Sequence, residues 1–290
     1  MFQGVFTALI TPFKNDKIDF DALGAVIENQ KKHGVDGIVP CGTTGESPTL
    51  SYEEHEAVIE FCVKNAKGKM KILAGTGSNS TDEAVHFTSF AKKIGCDGAL
   101  MVSPYYNKPT QKGLYLHYKK VADTVDIPIV LYNIAGRTAV NIETATMARL
   151  FKDCKNIVGV KEASGSLDQM SSVKSAIPEI ELISGDDVLT LPLLSIGGCG
   201  VISVLSNIVP GEVVSLVRTF EKGNLKEAEK IHYKLLPLAK SMFVETNPIP
   251  VKTAASMLGM CSPELRLPMC EMDDTNKSKL EKALKDFGLL

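Results

Sequence analysis

The chain has 290 residues, 44% hydrophobic and 23% charged, a balance that lets one large domain, or one domain with an appendage, bury a sizeable core. Its 32 basic and 34 acidic residues give a formal net charge of -2 and are spread along the chain, which argues against nucleic acid or an anionic membrane as partner and favours a small-molecule substrate. No N-terminal run has the form of a secretion signal and no apolar stretch approaches a membrane span, so a cytoplasmic location is expected. Seven cysteines, odd in number and without a C-x-x-C pair, are expected to be reduced and mostly buried.

Apolar runs bounded by Gly or Pro alternate with segments of helical period. The predicted strands are Gly4 to Ile10, Gly37 to Cys41, Lys71 to Gly75, Gly98 to Ser103, Ile127 to Tyr132, Ile157 to Ala163, Ile180 to Ser184 and Gly200 to Val204. Between and after them the periodicity predicts helices over Phe20 to His33, Tyr52 to Ala66, Asp82 to Ile94, Lys112 to Val125, Glu143 to Phe151, Leu167 to Ala176, Val188 to Ile196 and Gly211 to Lys222. Ser51 with Glu54 forms a capping box, Gly34, Gly95 and Gly223 fall where helices stop, and the runs His33 to Gly37 and Ile94 to Gly98 resemble each other as repeats of one unit. Strict alternation over about 220 residues predicts an α/β fold, a closed (β/α)8 TIM barrel over residues 1–223. An open doubly wound sheet is the alternative, but no G-x-G-x-x-G opens a helix. After Gly223 only helices follow, Asn224 to Leu238, Pro250 to Leu258 and Thr275 to Phe287, so residues 224–290 read as a C-terminal helical appendage that caps the barrel or another subunit.

The run from Ile157 to Ser164 contains a conflict that points to chemistry. It is an apolar strand with Lys161 in its middle, and lysine is almost never fully buried unless paired or working. Alternation puts Gly159, Lys161 and Ala163 on one face and Val158, Val160 and Glu162 on the other, leaving space around the amine. Desolvation of such a lysine favours its neutral, nucleophilic form, able to make a Schiff base with a carbonyl compound. The plain alternative is a lysine that snorkels to water or pairs with a carboxylate.

In a barrel of this kind the site lies at the C-terminal ends of the strands. The second strand delivers Cys41-Gly42-Thr43-Thr44-Gly45-Glu46, a turn whose N–H groups and hydroxyls suit a carboxylate. The fourth ends in Tyr105 and Tyr106. The fifth delivers Tyr132, a proton relay beside a lysine, and then Arg137, a planar fork for a second carboxylate. The seventh brings Gly185, which allows close approach to backbone, and the eighth ends in Ile202 and Ser203. Each of these alone reads as ordinary strand-end structure, and it is their convergence that makes a site for an anionic keto substrate and a second anionic partner. The five histidines, His33, His55, His86, His117 and His232, have no ligand spacing, lie in predicted helices and read as surface or interface residues, so no metal and no cofactor is expected.

The stretches Gly37 to Ser47, Tyr132 to Thr138 and Val158 to Ala163 resemble the signatures of the Schiff-base aldolases related to N-acetylneuraminate lyase, and within them the dihydrodipicolinate synthase branch. The resemblance covers essentially the whole chain. It implies that Lys161 forms a Schiff base with pyruvate, that Thr43 and Thr44 hold the pyruvate carboxylate, and that Tyr132, Thr44 and Tyr106 relay protons, Tyr106 reaching in from a neighbouring subunit. Arg137 would receive the carboxylate of aspartate semialdehyde, with backbone contacts from Gly185 and Ile202. The implied reaction is the condensation of the two substrates in lysine and diaminopimelate biosynthesis, by a homotetramer built as a pair of dimers. The resemblance further implies an effector pocket for lysine at Ser47, His55, Asn79, Glu83 and Tyr105. Tyr52 stands where strongly inhibited members have a histidine, so weak to moderate inhibition is expected, and Ala135 stands where many relatives have Pro, leaving the loop before Arg137 without a fixed φ. The nearest rival activity is a lyase of the same architecture acting on N-acetylneuraminate or a keto-deoxy sugar acid. Arg137 and the paired threonines favour an anionic aldehyde instead. A barrel that only binds a ligand is the remaining alternative, disfavoured by the lysine, the tyrosine and the carboxylate turn together.

Overall fold

Eight short runs rich in aliphatic and β-branched residues form β1 (Gly4–Ala8), β2 (Gly37–Val39), β3 (Lys71–Gly75), β4 (Gly98–Val102), β5 (Ile129–Asn133), β6 (Ile157–Glu162), β7 (Glu181–Ser184) and β8 (Gly200–Ser203) in the computed structural model, which describes residues 1–290. All pairings are parallel, and β1 bonds to both β2 and β8, so the sheet closes into a (β/α)8 barrel rather than remaining open. Its outer layer consists of α1 (Phe20–Lys32), α2 (Tyr52–Ala66), α3 (Thr81–Ile94), α4 (Gln111–Thr124), a single turn α5 (Ala135–Thr138), α6 (Thr144–Asp153), α7 (Leu167–Ala176), α8 (Thr190–Ser195) and α9 (Pro210–Glu221). The tail adds α10 (Leu225–Ser241), α11 (Ile249–Met257) and α12 (Asp274–Phe287). No helix is long and apolar enough to cross a membrane.

Two apolar layers follow from the alternation of each strand. Phe6, Leu73, Leu100, Val130, Ile183 and Ile202 point inward and belong to a closed cluster of 10 buried residues, with Tyr132 at its upper edge. The outward residues join the helices in a cluster of 62 that also takes in Ala228, Leu235, Leu280 and Leu284 of the tail, so the tail packs on the barrel's own outer core. The repeated sequence unit has a structural counterpart: Asp36 accepts the N–H of Val5 at 2.8 Å and Asp97 that of Ile72 at 2.8 Å, each aspartate fastening the strand before it. The Ser51–Glu54 capping box forms as expected.

Three departures have local causes. The register of β5 against β6 slips between Ile129–Ile157 and Val130–Gly159, so Val158 is an extra residue. It packs against the interior cluster instead of sharing the outer face with Val160. The run predicted as one helix over Val188 to Ile196 is a 3-10 turn, Asp187–Leu189, followed by α8 from Thr190. Pro192 has no N–H to give to residue 188, so an α-helix cannot start that early. A hairpin of Phe13–Lys14 with Lys17–Ile18 turns on Asn15 and Asp16, at φ 54° and 59°, and was too short for any periodicity to reveal.

Candidate active site

Lys161 lies near the C-terminal end of β6 on the inward face, 6% exposed, opposite Tyr132 on β5 and Ile183 on β7. Its Nζ is 4.1 Å from the centre of the Tyr132 ring. The adjacent Gly185 makes room for it: a Cβ built on residue 185 would lie 3.0 Å from Lys161 Cε and 2.6 Å from Ala163 Cβ. Ile202 is fully buried in the interior cluster, on the same inward-facing ring of residues.

What fixes this register is Glu162, the neighbour of the lysine and a residue the sequence reading left without a role. Glu162 is fully buried, and alternation along β6 sets it on the face opposite Lys161. Its carboxylate accepts from Asn133 Nδ2 at 3.1 Å, Gln169 Nε2 at 3.0 Å and the Ser164 N–H at 2.8 Å. Three donors offset the desolvation of the charge and tie the ends of β5 and β6 to α7. The lysine therefore has no carboxylate on its own strand to pair with.

After β2 the chain runs through an extended Gly42 into a 3-10 turn, Thr43–Gly45, and leaves it at Glu46 in the left-handed conformation, φ 54°. The N–H groups of Thr43 and Thr44 open this turn, where helical geometry supplies no acceptor. Thr44 is buried and its Oγ1 accepts from Asn247 Nδ2 at 3.0 Å. The Asn247 carbonyl in turn accepts from Arg137 Nη2 at 2.9 Å, so one residue of the tail touches both groups expected to handle carboxylates. Asn247 Oδ1 is buried without a partner. The loop lacking the proline folds as the single turn α5, closed by Thr138 N–H to Ile134 at 3.1 Å and Ala139 N–H to Ala135 at 2.9 Å. Arg137 is exposed on that turn and shares a cavity of about 480 Å³ with Thr43. Tyr106 does not join this site. It is 89% exposed, at φ 72°.

Four of the five residues expected for an effector, Ser47, His55, Glu83 and Tyr105, line the same cavity, together with Tyr52. Asn79 stands outside it, its carbonyl accepting from Asn107 Nδ2 at 2.9 Å. Glu83 is already engaged by the hydroxyl of Ser78, and it lies close enough to Tyr52 that the carboxylate raises that residue's pKa. His55 stacks on Phe87 with centroids 4.0 Å apart and bonds through Nε2 to the Gly75 carbonyl at 2.8 Å. Burial holds its pKa down. His55 and His117 are both buried within the single chain, so two of the five histidines are not the surface or interface residues expected of them. All seven cysteines are free. Cys41, Cys62 and Cys154 are buried, Cys96, Cys199 and Cys261 half-buried, and Cys270 exposed.

An inward lysine at a strand end of an eight-stranded barrel, against a tyrosine and beside a threonine turn, defines an aldolase-type lyase of the Schiff-base class. The chain belongs to the dihydrodipicolinate synthetase family, whose model matches residues 1–287. It is 79% identical over 290 residues to a 4-hydroxy-tetrahydrodipicolinate synthase of Endomicrobium trichonymphae, covering 100% of both chains. It superposes with a TM-score of 0.98 on the crystal structure of dihydrodipicolinate synthase from Aquifex aeolicus, 54% identical, covering 99% of each chain. It also matches a synthase of the family from Cyanidioschyzon merolae solved with lysine bound, at 41% identity and TM-score 0.96, covering 100% of this chain and 99% of that one. The activity is the condensation of pyruvate with L-aspartate 4-semialdehyde to 4-hydroxy-tetrahydrodipicolinate, in lysine biosynthesis.

Proposed function

We propose that Lys161 is the amine that captures pyruvate, that Thr43 and Thr44 receive the pyruvate carboxylate, and that Arg137 receives the carboxylate of aspartate semialdehyde. The observation that carries this is the lysine's setting: buried, unpaired with any carboxylate, and in contact with the face of Tyr132. As the free base, Lys161 attacks the ketone. Loss of water gives an iminium, an electron sink that acidifies the methyl group, and loss of a methyl proton gives the enamine. The enamine carbon attacks the aldehyde, and the amine of the new chain closes the ring by displacing Lys161. Tyr132 and Thr44 move the protons of these steps, and holding both substrates in one site supplies the effective concentration. Gly185 and Ile202 contribute backbone contacts.

Tyr106 completes the relay from a neighbouring copy in this proposal, and its exposure in the single chain is what a residue serving a partner's site requires. A dimer is then the smallest working unit and a homotetramer of two such dimers the assembly. Residues 224–290 are the appendage of a catalytic barrel formed by residues 1–223. Lysine is the effector, bound near Glu83 at Ser47, His55 and Tyr105 with Asn79 at the rim, as supported by the lysine-bound relative. Seven free cysteines suit a reducing, cytoplasmic compartment. The test is borohydride reduction in the presence of pyruvate followed by peptide mass analysis. The pyruvate-derived mass is expected on Lys161, and native enzyme trapped at another residue, or not at all, would refute the assignment.

A further inference from the structure

The turn that carries Thr43 and Thr44 ends on a buried ion pair reaching across to the tail. Glu46 is 3% exposed and Lys252, on α11, is 0% exposed. Lys252 Nζ donates to Glu46 Oε1 at 2.6 Å, and the backbone N–H of Arg266 donates to Oε2 at 3.1 Å. The ring of Phe13 lies against both cations, 4.2 Å from Lys252 Nζ and 4.4 Å from the Arg266 guanidinium. Arg266 is held in turn by Glu54 and by the Thr49 carbonyl, within the segment that follows the same turn.

The placement of this pair exceeds what stability asks for. A buried ion pair is seldom more stabilising than apolar residues of the same volume, and its best-attested use is to fix one arrangement among several. Here the arrangement is a non-glycine residue in the left-handed region, φ 54°, closing the turn that presents Thr44. The charge matters as well. Glu46 is two residues from Thr44, and an uncompensated carboxylate there would repel the carboxylate the turn is built to receive.

We infer that Glu46 and Lys252 are positioning residues for pyruvate: the pair holds the Thr43–Glu46 turn in its binding shape and cancels the negative charge beneath it. The tail is then part of the active-site scaffold, contributing Lys252 under the turn as well as Asn247 beside it. The inference rests on the assignment of Thr43 and Thr44 to the pyruvate carboxylate.

The experiment compares native enzyme with K252M, E46Q and the double variant E46Q/K252M, all full-length. For each, folding is checked by circular dichroism and thermal melting, and KM is measured separately for pyruvate and for aspartate semialdehyde. K252M is expected to raise the KM for pyruvate by about tenfold, with a much smaller change for the aldehyde, because it leaves an unpaired anion under one subsite only. The double variant is expected to return the pyruvate KM to within about threefold of native, since it removes both charges. A merely structural pair would lower the melting temperature and leave KM in place. K252Q, which keeps a donor for Glu46, carries the same expectation should K252M fail to fold. Native-like pyruvate KM in the folded lysine variant, or no recovery in the double variant, would overturn the inference. If native enzyme is trapped by borohydride at Lys161 and the variants keep native KM, this inference alone falls. If native enzyme is not trapped there, the underlying assignment falls first.

Discussion

Gly185→Ala isolates the space around Lys161 from its chemistry. The added methyl carbon would stand 2.6 Å from Ala163 Cβ, 3.0 Å from Lys161 Cε and 3.2 Å from the Glu162 carbonyl oxygen. Carbon atoms pack comfortably at about 3.5 Å, so the first contact must open by roughly 0.9 Å and the second by roughly 0.5 Å. Glu162 is fixed by its three donors, and Ala163 is bonded through its N–H to the Asn133 carbonyl at 2.9 Å. The lysine chain is the movable partner of its own contact and yields, whereas the Ala163 contact opens only by a shift of the backbone at residue 185. Overpacking of this kind costs about 1–3 kcal/mol, which a domain of this size can survive, whereas a displacement near 1 Å at a reacting group costs on the order of 10²-fold in rate.

The variant is therefore expected to fold, to melt a few degrees lower, and to lose about two orders of magnitude in kcat with slowed borohydride trapping by pyruvate. Gly24→Ala is the control, because its added methyl meets only the Phe61 ring at 3.5 Å. A G185A enzyme within about threefold of native kcat would refute the claim that Lys161 needs this space, whatever its stability.

Arg137→Ala removes one charge-assisted donor set from the cavity, and the KM for aspartate semialdehyde should rise by about 10- to 100-fold while that for pyruvate moves little. Equal losses with sugar aldehydes as acceptors would favour the sugar-acid lyase activity instead. Lysine is expected to inhibit weakly to moderately, because Ser78 already donates to Glu83 and Tyr52 stands close enough for the carboxylate to raise its pKa. Tyr52→Phe should lower the inhibitory lysine concentration by about threefold to tenfold, and an unchanged inhibition curve would exclude Glu83 as the ammonium partner. His117 is buried, with Nδ1 on Thr81 Oγ1 at 2.9 Å and Nε2 unpartnered, and burial pushes its pKa from 6.5 down to about 4. The unfolded chain then takes up a proton below about pH 6.5 that the folded one refuses, so stability falls as pH drops from there toward 4. His117→Gln should flatten the fall in melting temperature between about pH 7 and pH 5, and parallel curves for variant and native enzyme would refute this source of acid sensitivity.

The groups legible in the sequence share one property: each is a polar residue interrupting an apolar strand or following it directly. Lys161, Tyr132, Thr43 and Arg137 were found that way, because a strand of known direction delivers its last residues to one end of the barrel. Glu162 was legible only in its facing, since its partners Asn133 and Gln169 come from a neighbouring strand and from α7. Asn247 was not legible at all. Its bond to Thr44 joins residues 203 positions apart, and nothing in a helical tail marks one asparagine as the residue that folds back over the barrel mouth.

The sharpest case is a pair of lysines that give the same signal in sequence. Lys252 sits in Pro250-Val251-Lys252-Thr253-Ala254-Ala255 as Lys161 sits in Val158-Gly159-Val160-Lys161, a cation inside an apolar run. Both are buried in the fold, and both lie against an aromatic ring, at 4.2 Å and 4.1 Å. Only the third dimension separates them. Burial pushes the pKa of Lys252 down and Glu46, 206 residues away in sequence, pulls it back up through a contact at 2.6 Å. A lysine so occupied has no room for a substrate. Lys161 has instead a wall of Gly and Ala and an open strand end, which is space for a keto acid. Burial thus selects two candidates from 290 residues, and Lys161 alone is left without a carboxylate partner, which is the ground on which it is proposed as the reacting amine.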